Sequence, residues 1–169
     1  MSSNKKFKEV KIDCPNPGKT GLLKKLLDAD IKMNEYAMEI FNSENFNIKN
    51  LPLTLTVIET EIRHIGLPEG GTFQKIKKAM RKINLEYCPV EVAPFIRLAY
   101  KNQKESKIKS IHENPPDSIV IFSKPLINND DFPKGFYIRN YEGYHWLRAY
   151  KCSDDFLWKP NARMFFLKK

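Results

Sequence analysis

Cysteine, histidine and glycine are all scarce in this chain. Its three cysteines, Cys14, Cys88 and Cys152, are an odd number without paired spacing. That argues against a disulfide framework and for a reducing compartment. Three scattered histidines supply no zinc-ligand spacing. Seven glycines in 169 residues exclude a fibrous repeat. Long apolar runs are missing too. The longest are pieces such as Ile119–Phe122 and Met164–Leu167, far short of the roughly 18 residues of a membrane span. Met1 to Pro17 is Lys-rich without an apolar segment, so no secretory signal is expected. A cytoplasmic protein with no membrane partner is the expectation.

What the chain has in excess is positive charge. Lys and Arg number 29 against 20 Asp and Glu, for a net +9. Hydrophobic residues make up 41%, too many for a disordered chain. Lys and Arg displace counterions from phosphates, which makes polyanions the first partners to weigh. Ordinary solubility is the plainer explanation. The charge is also uneven: from Asp28 to Glu61 seven acids face only two lysines.

Patterning orders the chain. Residues 1–17 read as a flexible basic N-terminus and 18–169 as a single α+β domain, with a helical part at about 18–45 and a mixed α/β part at about 50–169. Leu22, Leu23, Leu26 and Leu27 recur at helical spacing, and Asn34 is a good N-cap for a second helix carrying Ala37, Ile40 and Phe41. Leu53–Ile58 alternates and is β-branched, so it reads as a strand. Thr72 can cap a helix whose apolar stripe is Phe73, Ile76, Met80 and Ile83. Ile96, Leu98 and Tyr100 alternate and read as a strand, Lys101 to Pro116 as a long loop, and Ser118–Ser123 and Arg163–Leu167 as strands. Helices first and strands later give the expected class: α+β, a helical N-terminal part followed by a mostly antiparallel sheet with a C-terminal hairpin.

Gly66-Leu67-Pro68-Glu69-Gly70-Gly71-Thr72 and Leu85-Glu86-Tyr87-Cys88-Pro89-Val90-Glu91-Val92-Ala93-Pro94-Phe95-Ile96-Arg97-Leu98-Ala99-Tyr100 carry a resemblance. They are similar to a "GLxEGAT, helix, LCPxEVGPxLRLxY" arrangement in a group of small bacterial proteins of unassigned function. Ala93 stands where that pattern has Gly. The resemblance implies a bacterial, intracellular protein and names no chemistry.

Four constellations were candidates for function. Pro17-Gly18-Lys19-Thr20 matches the end of a phosphate-binding loop, but Asp13 stands where the first Gly belongs and two prolines remove amide donors. The second is the helix after Thr72, with Lys75, Lys77, Lys78, Arg81 and Lys82 and no acid. It is either a solvated face or a phosphate-contacting one.

The third is the hairpin. A two-residue turn at Glu142-Gly143 pairs Tyr141 with Tyr144, Arg139 with Trp146, Tyr137 with Arg148 and Phe136 with Ala149. One face is then core: Phe136, Ile138, Leu147 and Ala149. The other interleaves Tyr137, Arg139, Tyr141, Tyr144, Trp146, Arg148 and Tyr150. Such a face can stack bases, dock a protein, or be covered with its arginines stacked internally. The fourth is a pocket around Glu91, Arg97 and Tyr100.

Catalysis has thin support. His145 and Cys152 on one regular strand would lie on opposite faces about 23 Å apart, too far to react. No catalytic residue, metal ligand or cofactor is nominated. The leading expectation is a non-enzymatic binding module for a polyanion such as RNA or single-stranded DNA, through Lys75, Lys78, Arg81, Lys82, Arg139, Tyr144, Trp146, Arg148 and Tyr150. Two alternatives stay open: a protein-interaction module for an acidic partner, and a small-molecule pocket or enzyme at Glu91, Arg97 and Tyr100.

Overall fold

One nine-stranded sheet organises the chain in the computed structural model, which describes residues 6–109 and 114–169. Its strands are β1 (Lys8–Asp13), β2 (Lys32–Met33), β3 (Thr54–Glu61), β4 (Leu85–Glu86), β5 (Glu105–Ser106), β6 (Ile119–Ile121), β7 (Gly135–Tyr141), β8 (Tyr144–Tyr150) and β9 (Arg163–Lys168). The order across the sheet is β1-β3-β9-β6-β7-β8-β2. Short β6 leaves room at both ends, and β4 pairs with β9 and β5 with β7 there. The α+β class holds, and the sheet is mixed: among the described residues five pairings are antiparallel, the long ones included, while β2–β8, β5–β7 and β6–β9 are parallel.

Four α-helices flank it: α1 (Gly18–Asp28), α2 (Glu35–Asn42), α3 (Phe73–Lys82) and α4 (Ala93–Ala99). Strand alternation sends side chains to two separate cores. Phe136, Ile138 and Phe165 join the core under α1, α2 and α4. Tyr137, Met164 and Phe166 join the core under α3. Helix α3 packs against β4 and the 3₁₀ turn Ile62–Ile65, and its Phe73 meets Phe122, just past β6, at 4.7 Å.

The caps follow the sequence. Asn34 Oδ1 accepts from Ala37 N at 3.0 Å and from Ala149 N at 3.0 Å, so one side chain caps α2 and ties it to β8. Thr72 Oγ1 accepts from Lys75 N at the start of α3. Buried Leu22 and Leu26 anchor α1, while Leu27 is exposed.

Several expectations are corrected. Lys8–Asp13, placed in a flexible lead-in, is strand β1, paired along its length with β3. Residues 1–5 of that lead-in and 110–113 of the expected loop lie outside the described residues. Helix α3 lies in the mixed part, where its Thr72 cap and apolar stripe place it, and α4 is a further helix there. Ile83 falls past the end of α3 and is exposed. Residues 96–100 are not a strand: α4 spans Ala93–Ala99, with Pro94 in its first turn, where its missing N–H costs nothing. Five of its seven residues are buried, so no polar face betrays its period.

The hairpin forms in the expected register, from Tyr141 opposite Tyr144 to Phe136 opposite Ala149. Glu142 and Gly143 both take positive φ, 51° and 78°, as a type I′ turn requires.

Candidate functional site

The Arg/aromatic face of the hairpin lies on the α3 side of the sheet, over the part that no helix covers. Its two ends differ. Near the turn, Arg139 is 5% exposed; it donates to Ser106 Oγ at 3.1 Å and to the Ile108 carbonyl, and stacks 4.1 Å over Tyr141. Burial pushes its pKa below the arginine range. Arg139 is therefore structural, not a surface contact. Tyr144 is exposed, with Lys32 Nζ 4.7 Å over its ring. Arg148 lies 4.9 Å over half-buried Trp146 and donates from Nε to Tyr137 Oη at 2.9 Å. Internal cation–π stacking, one of the expected alternatives, is thus largely realised here.

Farther from the turn, the face becomes concave. Tyr137, Arg148 and Tyr150 line a pocket of about 270 Å³ with Val120, Phe156 and Trp158. Trp158 meets Tyr150 at 5.5 Å and Phe156 at 4.9 Å, both edge-on. The wall segment is tied down twice. Gly71 N donates to Trp158 O at 3.0 Å and Trp158 N to Gly71 O at 2.9 Å. Buried Lys134 holds Asp154 at 2.7 Å and the Cys152 carbonyl at 3.0 Å. Burial is the largest single effect and opposes the Lys134 charge, but the Asp154 hydrogen bond together with the charges of Cys152, Asp154 and Asp130 outweighs it and raises the pKa.

Trp158 Nε1 is buried and has no hydrogen-bond partner among the described residues. Such an orphaned donor costs about 1–3 kcal/mol. Trp146 Nε1 is orphaned as well, but Trp146 does not line this pocket.

Asn114, Pro115 and Phe156 are shared with a second cleft, of about 400 Å³. That cleft shares Glu61, Arg63, Asp117 and Arg163 with a third, of about 870 Å³, reaching Lys6, Lys8, His64 and Lys104. The three form one groove whose lining carries eight Lys or Arg against three carboxylates. Its carboxylates are engaged. Glu59, 4% exposed, accepts from Arg163 and from Tyr100 Oη at 2.5 Å, with Lys8 Nζ at 3.6 Å. Glu61 holds Arg63, and Asp117 faces Lys104 at 3.6 Å.

Along α3, Lys75, Lys78, Arg81 and Lys82 are exposed, as the solvated-face reading expects. Lys75, Lys78 and Lys82 have no carboxylate within 4 Å among the described residues. They flank Ile65, Gly66 and Leu67 in a shallow groove. Arg63 and His64 of the preceding 3₁₀ turn, Ile62–Ile65, line the cationic groove. Both basic surfaces draw on this turn, Arg63 and His64 on one and Ile65 on the other, without a shared lining residue.

Glu91, Arg97 and Tyr100 do not form a pocket. Glu91 Oε1 accepts from Asn47 N at 3.2 Å. Arg97 is 1% exposed and points into the core, donating to Gln103 Oε1 at 2.6 Å and to the Tyr100 carbonyl. Burial lowers its pKa to about 10. Tyr100 turns to Glu59 instead. The expected carboxylate partner of Arg97 is replaced by two neutral acceptors.

Sequence reasoning missed Trp158, Phe156, Arg63 and Arg163. The one available signal was the Phe156-Leu157-Trp158 cluster between polar stretches.

Thiol chemistry finds no support. Burial raises Cys14 and Cys152 to about 11 and Cys88 further, so little thiolate exists near neutrality. Among the described residues no cluster of three His, Cys, Asp or Glu side chains could hold a metal ion, and no helix is long and apolar enough to cross a membrane.

His145 gives a pH handle. Burial first, then the Arg97 charge, lowers its pKa from 6.5. Protonation therefore opposes folding: the full stability is present above the ordinary value and is lost as pH falls through the lowered one. His145→Gln should show a smaller loss of Tm than the parent between about pH 7 and pH 5. An identical loss in both would remove His145 as a source.

No protein-family model, curated protein or solved structure matches this chain, so the geometry of its own residues carries the functional argument.

Proposed function

We propose that the protein binds single-stranded nucleic acid along its cationic groove and in the aromatic pocket that the groove leads to. The observation that carries this reading is that continuity of basic groove and aromatic pocket. The groove runs from Lys6 and Lys8 to Tyr137, Tyr150 and Trp158, and the α3 lysines stand beside Ile65 of the same Ile62–Ile65 turn that gives the groove Arg63 and His64. Single strands need this pairing: cations that track the phosphates and rings on which bases stack. Arg148 and Tyr150 keep their place from the sequence-based set, and Lys75, Lys78, Arg81 and Lys82 supply phosphate contacts. Arg139 leaves the set because it is buried and its Nη2 is engaged inside the fold.

The test is anisotropy of a labelled single-stranded oligonucleotide titrated with protein over a range of salt. Affinity should fall linearly on a log–log plot. Lys75→Ala, Lys78→Ala and Lys82→Ala together should weaken binding by about 10–100-fold near 0.1 M salt and reduce the slope by about 2. These side chains are exposed, so the fold should survive. No binding at low salt, or an unchanged slope in the triple variant, would sink the reading. Equal binding of an acidic polypeptide and the oligonucleotide would favour a protein partner on the same surface.

A further inference from the structure

We propose that the pocket lined by Tyr137, Arg148, Tyr150, Phe156 and Trp158 takes one nucleotide. The base lies against the aromatic rings and the phosphate lies on Arg148 and Lys151. This deepens the strand-binding reading and rests on it where the nucleotide is part of a strand; a free mononucleotide is the other source of the same chemistry.

Three observations carry it. First, the pocket, about 270 Å³, is lined by Tyr137, Tyr150, Phe156 and Trp158. Tyr150 and Phe156 stand at 82° and 76° to the Trp158 ring. Aromatic linings of this kind favour a flat, polarisable ring as ligand.

Second, two of its lining residues, Trp158 and Tyr137, carry a donor with no acceptor among the described residues. Trp158 is 4% exposed, and its Nε1–H has no acceptor among the described residues. Tyr137 Oη already accepts from Arg148 Nε at 2.9 Å, which leaves its own proton to donate. Asn34 cannot turn to a ligand, because Oδ1 and Nδ2 both hold Ala149 at 3.0 Å. A base offers ring and carbonyl acceptors along its edge.

Third, the charge is of one sign. Arg148 and Lys151 line the pocket, and no carboxylate does. In the groove that opens from it, Arg63 and Arg163 already hold Glu61 and Glu59. An uncharged ring would fill the pocket and give Arg148 and Lys151 no anion; a nucleotide supplies both ring and anion.

The probes are the four ribonucleoside 5′-monophosphates, inorganic phosphate, a homopolymeric single strand and an abasic strand of the same length. Each is titrated into the ¹⁵N-labelled protein. The Trp158 indole N–H, assigned by its loss in Trp158→Phe, is the reporter, and the Trp146 indole is the internal control. At least one mononucleotide or the base-bearing strand should move the Trp158 signal and slow its hydrogen exchange. Phosphate and the abasic strand should not. Trp158→Phe keeps a ring but loses the donor, and should weaken mononucleotide binding about tenfold while leaving the salt slope of strand binding intact.

A Trp158 signal unmoved by every mononucleotide and by the strand overturns the proposal, even if the strand binds. An equal response to the abasic strand overturns it as well. A response to mononucleotides without any strand binding supports the pocket and removes the strand-binding reading instead. A response to the strand alone makes the nucleotide a unit of the strand.

Discussion

Gly70→Ala is expected to destabilise the fold by about 3 kcal/mol or more and to loosen the aromatic pocket with it. Gly70 has φ +78°, a left-handed conformation that a Cβ disfavours. Open space would limit the damage to that conformational cost. Here the Cβ would stand 2.1 Å from the Trp158 carbonyl oxygen, with Lys159 and Pro160 backbone atoms at 3.2 Å. All three are backbone, so no side chain can swing away. The only relief is to separate residues 70–71 from 158–160. That breaks the two hydrogen bonds between Gly71 and Trp158. Chemical denaturation should show the loss, and near-ultraviolet circular dichroism should show Trp158 losing its fixed environment. Gly66→Ala is the control. It also has positive φ, +101°, but its Cβ would meet nothing within 4 Å, so its cost should stay near 1–2 kcal/mol. Equal costs at the two positions would show that the contact with Trp158 does not matter.

Glu59→Gln should cost about 3 kcal/mol. The carboxylate is 4% exposed and holds Arg163, whose side chain is 34% exposed, together with the Tyr100 hydroxyl and Lys8. The amide keeps the shape and can still accept from Tyr100. It removes the only negative charge beside Arg163 in that cluster. Desolvation already pulls the Arg163 pKa below the usual arginine range, so its unpaired charge is costly to keep. Arg163→Met added to Glu59→Gln should recover most of the loss, because the partly buried guanidinium is then gone and the remaining Lys8 charge is exposed to solvent. Urea denaturation of the four proteins in the cycle measures this. Additive losses in the double variant would show that the pair is not coupled.

The local features of this fold were legible in the sequence. Glu142-Gly143 between alternating apolar residues set the hairpin register, since a two-residue turn leaves only one way to pair the flanks. Asn34 and Thr72 marked helix starts, because a side-chain oxygen can stand in for a missing turn. Strand β1 was hidden: only Val10 and Ile12 are apolar among its charged residues, which suits an edge but reads as a solvated tail. Helix α4 was hidden for the opposite reason. It is two turns long and almost wholly buried, so a chance alternation at Ile96, Leu98 and Tyr100 outweighed a 3.6-residue period.

The candidate site was half legible. Its hairpin wall, Tyr137, Arg148 and Tyr150, lay within one readable motif. Its other wall and its cationic arm come from residues 6–8, 59–64, 104, 117 and 156–163. Only the sheet order brings these together, and no local pattern encodes that order. The Gly-rich heptapeptide Gly66–Thr72 shows the same limit. It reads as a turn, yet it ends the 3₁₀ turn, pins Trp158 and caps α3.

The position of β9 bears on how the chain is made. It lies between β3 and β6 and gives both of them partners. Until Arg163–Lys168 has left the ribosome, β1 and β3 form a two-stranded ribbon with an open flank. On the other side β6, β7 and β8 wait with a second open flank. Neither piece buries both of its faces alone, and the contacts that close the sheet span more than a hundred residues of sequence. Synthesis of this protein therefore leaves two half-sheets with open edges until β9 has emerged to join them.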